Sequence, residues 1–520
     1  MEPAALFSES WRGAAACPLL TAAAAARQSP GPPKGSPAMI DVRPVGHILG
    51  WLVLLLGLLM IPCIVIDLVD GNPNAREFAL TAVITIVTGA AIGVACAGAG
   101  PPDLDVRQGF LLTTGAWAVF PAVAGLPLML GDPHLSFTDA YFELTSAMTT
   151  TGGTVIVGLD RLARGALLWR GLVTWIGGMG VILLAMILLP LLNIGGMQLL
   201  RNADFATLDK VMPRAKHIAL SIGAVYLALT LACTGGFVWA GMSAFDGLVY
   251  AMSSLATGGM GNYDSSFAPF APAALWVGTV FMLLGSMSFI RFVQFARGDP
   301  GALWRDSQIR TFLAIYLGFV LGLLVARALN GEVVGATAVR EAAFNMASII
   351  STTGFTSTDY GLWGPLAETL FFCAMMVCGC SGSTVGGPKV FRYQLLYQAI
   401  AGEVRRLHRP NVVFVPHFQG APVSDAVLDS VIAFFMMFFL TLGIGAVALV
   451  LLGLDPVSAV SGAAANLSNV GPGLGPVLGP VGNYASLNDP AKWVCSFLML
   501  VGRLEIMTVY VIGTAGFWRA

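Results

Sequence analysis

The sequence predicts an all-α integral membrane protein: two leading transmembrane helices, then a unit of span, short half-helix, glycine turn and span repeated four times around an axis. Three observations predict it. Of 520 residues, 56% are hydrophobic and only 11% charged, with a mean hydropathy of +0.79, whereas a soluble domain carries about 25% charged residues. Apolar runs long enough to cross a bilayer, about 20 residues each, recur along the chain. Four shorter apolar segments end at glycines with one common spacing.

Charge and cysteine content narrow the class further. Lys+Arg 27 against Asp+Glu 28 gives a net charge of −1, which does not indicate a nucleic-acid binder. The eight cysteines lie mostly inside apolar runs, without the spacing of a disulfide framework or a zinc site. His47, His134, His217, His408 and His417 are too scattered to build a catalytic cluster, and no nucleotide-binding motif is present. An enzyme is not expected.

Residues 1–38 are alanine-rich and then carry Ser29-Pro30-Gly31-Pro32-Pro33-Lys34-Gly35. They read as a disordered extension or a start placed too early, with Met39 as the working start. Ala14-Ala15-Ala16-Cys17 is a faint lipoprotein-like cleavage site, but the apolar core before it is weak. Apolar runs follow at 45–69, 78–99, 109–130, 166–192, 217–241, 272–296, 309–329, 364–379, 424–453 and 491–517, about ten spans. The run ending near Cys378 breaks at a glycine-rich stretch and resumes at 390–400, so this span alone is expected to be discontinuous. The layout is then 39–108 for the leading pair and 109–216, 217–308, 309–423 and 424–520 for the four repeats. Basic loops at 194–216, 291–310 and 389–409, the last containing Lys389 and Arg392, mark the cytoplasmic side and place both termini there. Arg161, Arg164, Arg170, Arg340 and Lys492 fall on the opposite side.

The short segments 139–151, 246–257, 341–353 and 458–470 cannot cross a bilayer and suit re-entrant half-helices. Aligned on Gly152, Gly259, Gly354 and Gly471, they show Asp139, Asp246, Glu341 and Ser458 each thirteen positions earlier. These residue types favour a helix start. Successive glycines lie 107, 95 and 117 residues apart. Each helix C-terminus carries about half a negative charge, so four converging at mid-membrane make a site that holds a cation and repels anions. Extended backbone beyond each helix presents carbonyl oxygens that replace an ion's hydration shell, and glycine allows the dihedral angles such a turn needs.

The motifs 149–154 (TTTGGT), 175–181 (WIGGMGV), 195–199 (GGMQL), 351–359 (STTGFTSTD), 379–387 (GCSGSTVGG), 466–476 (NLSNVGPGLGP) and 502–506 (GRLEI), in this order, resemble the Trk/Ktr/HKT superfamily of potassium transporters, nearest its bacterial TrkH branch. The likeness covers about 39–520. It implies potassium uptake across the bacterial inner membrane through a gated, channel-like pore, with potassium as transported substrate and no bound organic cofactor. A symporter coupling potassium to protons or sodium is the alternative in the same fold. Few carboxylates occur at mid-span, which favours the channel-like reading. The resemblance implies a filter built from Gly152, Gly259, Gly354 and Gly471 with Thr150, Thr151, Thr257, Gly258, Thr352, Thr353, Asn469 and Val470 supplying neighbouring carbonyls. In plant HKT members serine at the first filter glycine goes with sodium permeation, and here all four positions are glycine.

A gate is expected at Gly379, Cys380, Ser381, Gly382, Ser383, Thr384, Val385, Gly386, Gly387, Pro388 and Lys389, since such residues cannot continue a lipid-facing helix. A phosphate-binding loop would need Gly-Lys-Ser/Thr, and here Pro388 precedes Lys389. Arg503, a charge in an apolar run, is the second gating candidate: an electrostatic barrier that also bonds loop carbonyls, or a partner of Glu505. Glu143 is a weaker candidate for coordinating hydrated cations, and His134, Asp160, Asp264 and Asp359 for concentrating cations at the outer mouth. Other glycine pairs, such as Gly177-Gly178, read as helix contacts. The resemblance also implies a homodimer in membrane lipid and a cytosolic TrkA-type ring that binds nucleotides and NAD, docking on the three basic loops.

Overall fold

The computed structural model describes residues 40–98, 104–187, 215–411 and 414–519. The expected N-terminal extension and nearly all of the basic loop 194–216 lie outside the described residues. Residues 41–513 form one unit, to which everything below refers; Ala515–Arg519 is a separate short helix. Apart from a two-residue hairpin, His417–Phe418 with Ala421–Pro422, the regular structure in the described residues is helical.

Among the described residues, seven helices are long and apolar enough to cross a bilayer: Arg43–Val69, Asn74–Ala95, Val106–Leu130, Arg164–Leu183, His217–Trp239, Ser307–Leu329 and Asp425–Leu451. Side chains such as Leu55, Val87, Leu321 and Ile444 point outward along them, where hydrocarbon rather than water covers apolar surface. The leading pair packs through glycine. A β-carbon on Gly50 would run into the backbone of Gly93, and one on Gly89 into that of Leu54, the close approach that small residues permit between membrane helices. Buried Asp67 then fixes this pair to the first repeat by accepting the Gly165 backbone N–H at 2.7 Å and the Asn74 amide at 3.3 Å.

The second spans depart from expectation. Only the third was expected to be broken, yet Pro272–Gly285 and Phe289–Ala296 meet at 96°, and Asp489–Arg503 and Ile506–Ile512 at 110°. In the third repeat Pro365–Met376 stops before the 377–389 loop and the chain resumes as Val390–His408. Hydropathy misses the first two breaks because their residues, Ser286-Met287-Ser288 and Leu504-Glu505, barely interrupt the apolar run. What lies at each break is a half-helix end. Gly285 packs on the carbonyl of Leu255 and Gly502 on that of Leu467, and in the unbroken span of the first repeat Gly177 does the same to Met148. Each of those carbonyls belongs to the last residue of a half-helix.

The half-helices themselves are Phe137–Met148, Ala244–Leu255, Ala336–Ile350 and Pro456–Leu467. Their caps correct the sequence reading. Ser136, Ser243 and Asp455 are the N-caps, accepting from the backbone of Asp139, Asp246 and Ser458. The aligned positions are therefore the third helical residues, which an N-cap side chain reaches. The third half-helix starts at Gly335 without a side-chain cap, and Glu341 lies inside it, paired with Arg327 at 2.9 Å.

Candidate functional site

All four half-helices end four residues before their glycine, and in one manner. The backbone N–H groups of Thr151, Gly258, Thr353 and Val470 reach back to the carbonyls of Ser146, Ser253, Ser348 and Ala465 at 2.7–2.8 Å. Those of Thr150, Thr257, Thr352 and Asn469 bond to Ala147, Ser254, Ile349 and Asn466. These paired bonds make the Schellman termination, whose pivot residue is left-handed and usually glycine. Here the pivots are Thr150, Thr257, Thr352 and Asn469, with φ of 52°, 50°, 55° and 57°. A β-branched residue in this region is an outlier, so each threonine stores backbone strain of about 1–2 kcal/mol. Two residues on, Gly152, Gly259, Gly354 and Gly471 are left-handed again, at 87°, 66°, 86° and 93°.

The four turns meet one another in cyclic order. A β-carbon on Gly152 would stand 2.8 Å from the carbonyl oxygen of Gly258; on Gly259, Gly354 and Gly471 it would collide with the carbonyls of Thr353, Val470 and Thr151. Each glycine thus faces the carbonyl of the residue preceding the glycine of the next segment, and the fourth closes on the first. Above them lies a vestibule of about 140 Å³ lined by Gly152, Gly259, Gly354 and Pro472 among others. Of the acidic candidates for an outer mouth, Asp264 lines this vestibule and accepts from the Gly158 and Leu159 backbone N–H groups at 2.7 and 3.0 Å. Asp359 instead caps a short turn through Gly361.

Buried polar side chains on the half-helices hold the returning strands. Glu143 accepts from Thr154 Oγ1 and Val155 N, Asn345 exchanges two bonds with Ser357, and Ser461 exchanges two with Leu474. Glu143 is fully buried and also accepts from Arg170 Nε at 2.8 Å. It is a structural anchor, which corrects its reading as a ligand of hydrated cations. Arg170 and Lys492, read from the sequence as charges of the outer side, are buried too: Arg170 bonds Gly261 O at 3.0 Å and Lys492 pairs with Asp139 at 2.6 Å. Tyr484, which sequence reasoning passed over, donates to Gly471 O at 2.6 Å while its backbone N–H bonds Thr154 O, and so ties the fourth segment to the first. No hydropathy or motif signal marks it.

The 377–389 loop lies against the half-helix ends. Gly386 N donates to Thr352 Oγ1 at 3.1 Å, and Thr384 Oγ1 contacts Thr257 Oγ1 at 3.1 Å while donating toward the Leu255 and Gly285 carbonyls. A β-carbon on Gly386 would meet Asn469. The loop therefore touches the second, third and fourth segments at once. Cys378, Cys380, Ser381, Ser383 and Lys389 are buried in it, and the Lys389 ammonium donates to the Val385 carbonyl.

Arg503 ends the helix Asp489–Arg503, is buried, and its guanidinium bonds no protein acceptor among the described residues. The expected bonds to loop carbonyls are not made. Glu505 pairs with Arg392 at 2.6 Å, not with Arg503. Arg392, assigned by sequence to a solvated cytoplasmic loop, is fully buried and lies 3.7 Å from the Phe434 ring centroid. Two residues apart at a helix end, Arg503 and Glu505 do not face each other, and Glu505 at φ 61° turns away.

Spans that cross, half-helices that enter and turn back, and four turns converging under one vestibule define a multi-pass helical membrane protein. The chain belongs to the TrkH family, whose model, described as cation transport protein, matches residues 74–515. It is 41% identical over 478 residues to the Trk system potassium uptake protein TrkI of Halomonas elongata, covering 92% of this chain and 97% of that protein. To the Trk system potassium uptake protein TrkH of Vibrio parahaemolyticus it is 38% identical over 426 residues, covering 80% and 87%. The crystal structure of the potassium transporter TrkH from Vibrio parahaemolyticus superposes with a TM-score of 0.85 at 34% identity, covering 92% of this chain and all of that one.

Proposed function

We propose that this protein takes up potassium through a gated, channel-like pathway whose filter is formed by Thr150–Gly152, Thr257–Gly259, Thr352–Gly354 and Asn469–Gly471. The observation that carries the reading is the cyclic relation between each glycine and the next segment's carbonyl. Left-handed residues two positions apart turn successive carbonyls toward the shared centre, where they replace hydration water. The carbonyls left at the half-helix ends add negative potential for a cation.

The 379–389 loop is the gate in this reading. Its bonds to Thr352 and Thr257 support a position below the filter, where it blocks passage in this reading. Arg503, bonded to no protein acceptor among the described residues, raises the electrostatic barrier there. Buried Glu143 and Glu505 are each held by an arginine, which supports an uncoupled pathway over symport with protons or sodium. The relatives' names support potassium as the ion. The basic loops and the family support an inner-membrane location with cytoplasmic termini, a homodimer and a cytosolic TrkA-type ring on the basic face. Rubidium uptake into proteoliposomes under an imposed membrane potential tests the reading: flux proceeds without a pH or sodium gradient, and a requirement for either restores the symport alternative.

A further inference from the structure

We propose that the arginine-lined pocket between Phe289–Ala296, Ala302–Arg305 and the start of Ser307–Leu329 binds the phosphate headgroup of an acidic phospholipid. The pocket has a volume of about 890 Å³ and is lined by Arg291, Arg297, Arg305 and Arg310 against two acids, Asp299 and Asp306. The acids are already used. Asp306 pairs with Arg291 at 2.7 Å and Asp299 with Arg305 at 3.3 Å. Arg291 is further held by Gln294 and Gln419. The Arg297 and Arg310 guanidinium groups make no ion pair or hydrogen bond among the described residues, and both are exposed. Two free guanidinium groups beside a fixed one match a phosphodiester, whose oxygens accept the paired donors of arginine.

The surroundings favour a lipid over a free anion. Trp304 is 69% exposed and Phe295 50% exposed, on the two short helices that carry Arg305 and lead into Arg297. Exposed tryptophan next to arginine marks the headgroup level of a membrane. The pocket also sits at the N-terminal end of the span Ser307–Leu329, where the chain enters hydrocarbon, so acyl tails continue along its outward face. Basic pockets between spans are a recurring site for such headgroups.

Native mass spectrometry of the purified full chain, titrated with phosphatidylglycerol, tests this. One bound phosphatidylglycerol is expected, with phosphatidylcholine failing to replace it. The double variant Arg297→Gln/Arg310→Gln should bind about 30-fold more weakly, as two cationic side chains at an anionic surface imply. Both side chains are exposed, so folding is unaffected, and Arg76→Gln, an exposed arginine at the start of Asn74–Ala95, should leave binding unchanged. Equal binding by the double variant, equal binding of phosphatidylcholine, or displacement by inorganic phosphate would each overturn the proposal, the last by assigning the pocket to a free anion.

Discussion

Glu143 and Arg170 meet at 2.8 Å with both side chains buried, and together they bind two of the four converging segments: Glu143 holds Thr154 and Val155, and Arg170 holds Gly261. Breaking such a pair from one side leaves a charge stranded in a low-dielectric interior, at a cost of about 3–5 kcal/mol. Glu143→Gln should therefore lower the thermal stability of the purified protein and abolish rubidium uptake. Glu143→Gln combined with Arg170→Met should be more stable than Glu143→Gln alone, though still inactive. A melting curve in detergent separates these outcomes.

Arg392 and Arg503 both lie buried near the fourth-repeat break, yet their replacement should have opposite effects. Arg392→Gln strands Glu505 and should destabilise the protein by several kcal/mol. Arg503→Gln removes a charge that meets no protein acceptor among the described residues, so stability should hold or rise while rubidium flux increases. Lower flux at normal expression would remove Arg503 from the gate.

Gly177, Gly285 and Gly502 each cover the last carbonyl of a half-helix. An added methyl group there cannot fit without moving the half-helix. Alanine at Gly502 or Gly177 should cost more folded protein than alanine at Gly285, where the added atom would still stand 2.9 Å from the Leu255 oxygen. Yield of monodisperse protein by size-exclusion chromatography reports the order.

The left-handed pivots offer a separate test. Thr352→Asn keeps a residue that tolerates positive φ and matches Asn469 in the fourth repeat, but it loses the hydroxyl that accepts from Gly386. Stability should be kept or improved, while the loop loses its bond to the third half-helix turn and flux rises. An unchanged flux would separate the Thr352 hydroxyl from gating.

The half-helices and their glycines were legible in the sequence because hydropathy, length and spacing all bear on backbone position. The loop at 377–389 was legible because glycine and serine interrupt an apolar run. What stayed hidden depends on pairing across the fold. Arg170, Lys492 and Arg392 read as solvated charges, since sequence cannot show that Glu143, Asp139 and Glu505 are folded against them. The breaks at Ser286–Ser288 and Leu504–Glu505 were masked by apolar neighbours. The Schellman pivots were hidden because three threonines and an asparagine, not glycines, occupy them.

In the proposed pathway, four glycine turns present a potassium-selective ring of carbonyls. The reversal potential of the reconstituted protein with potassium on one side of a bilayer and sodium on the other tests it most directly. A reversal potential displaced strongly toward the potassium equilibrium value is expected, shrinking when Gly354 is replaced by serine. A reversal potential near zero in the unmodified protein would contradict a potassium-selective filter.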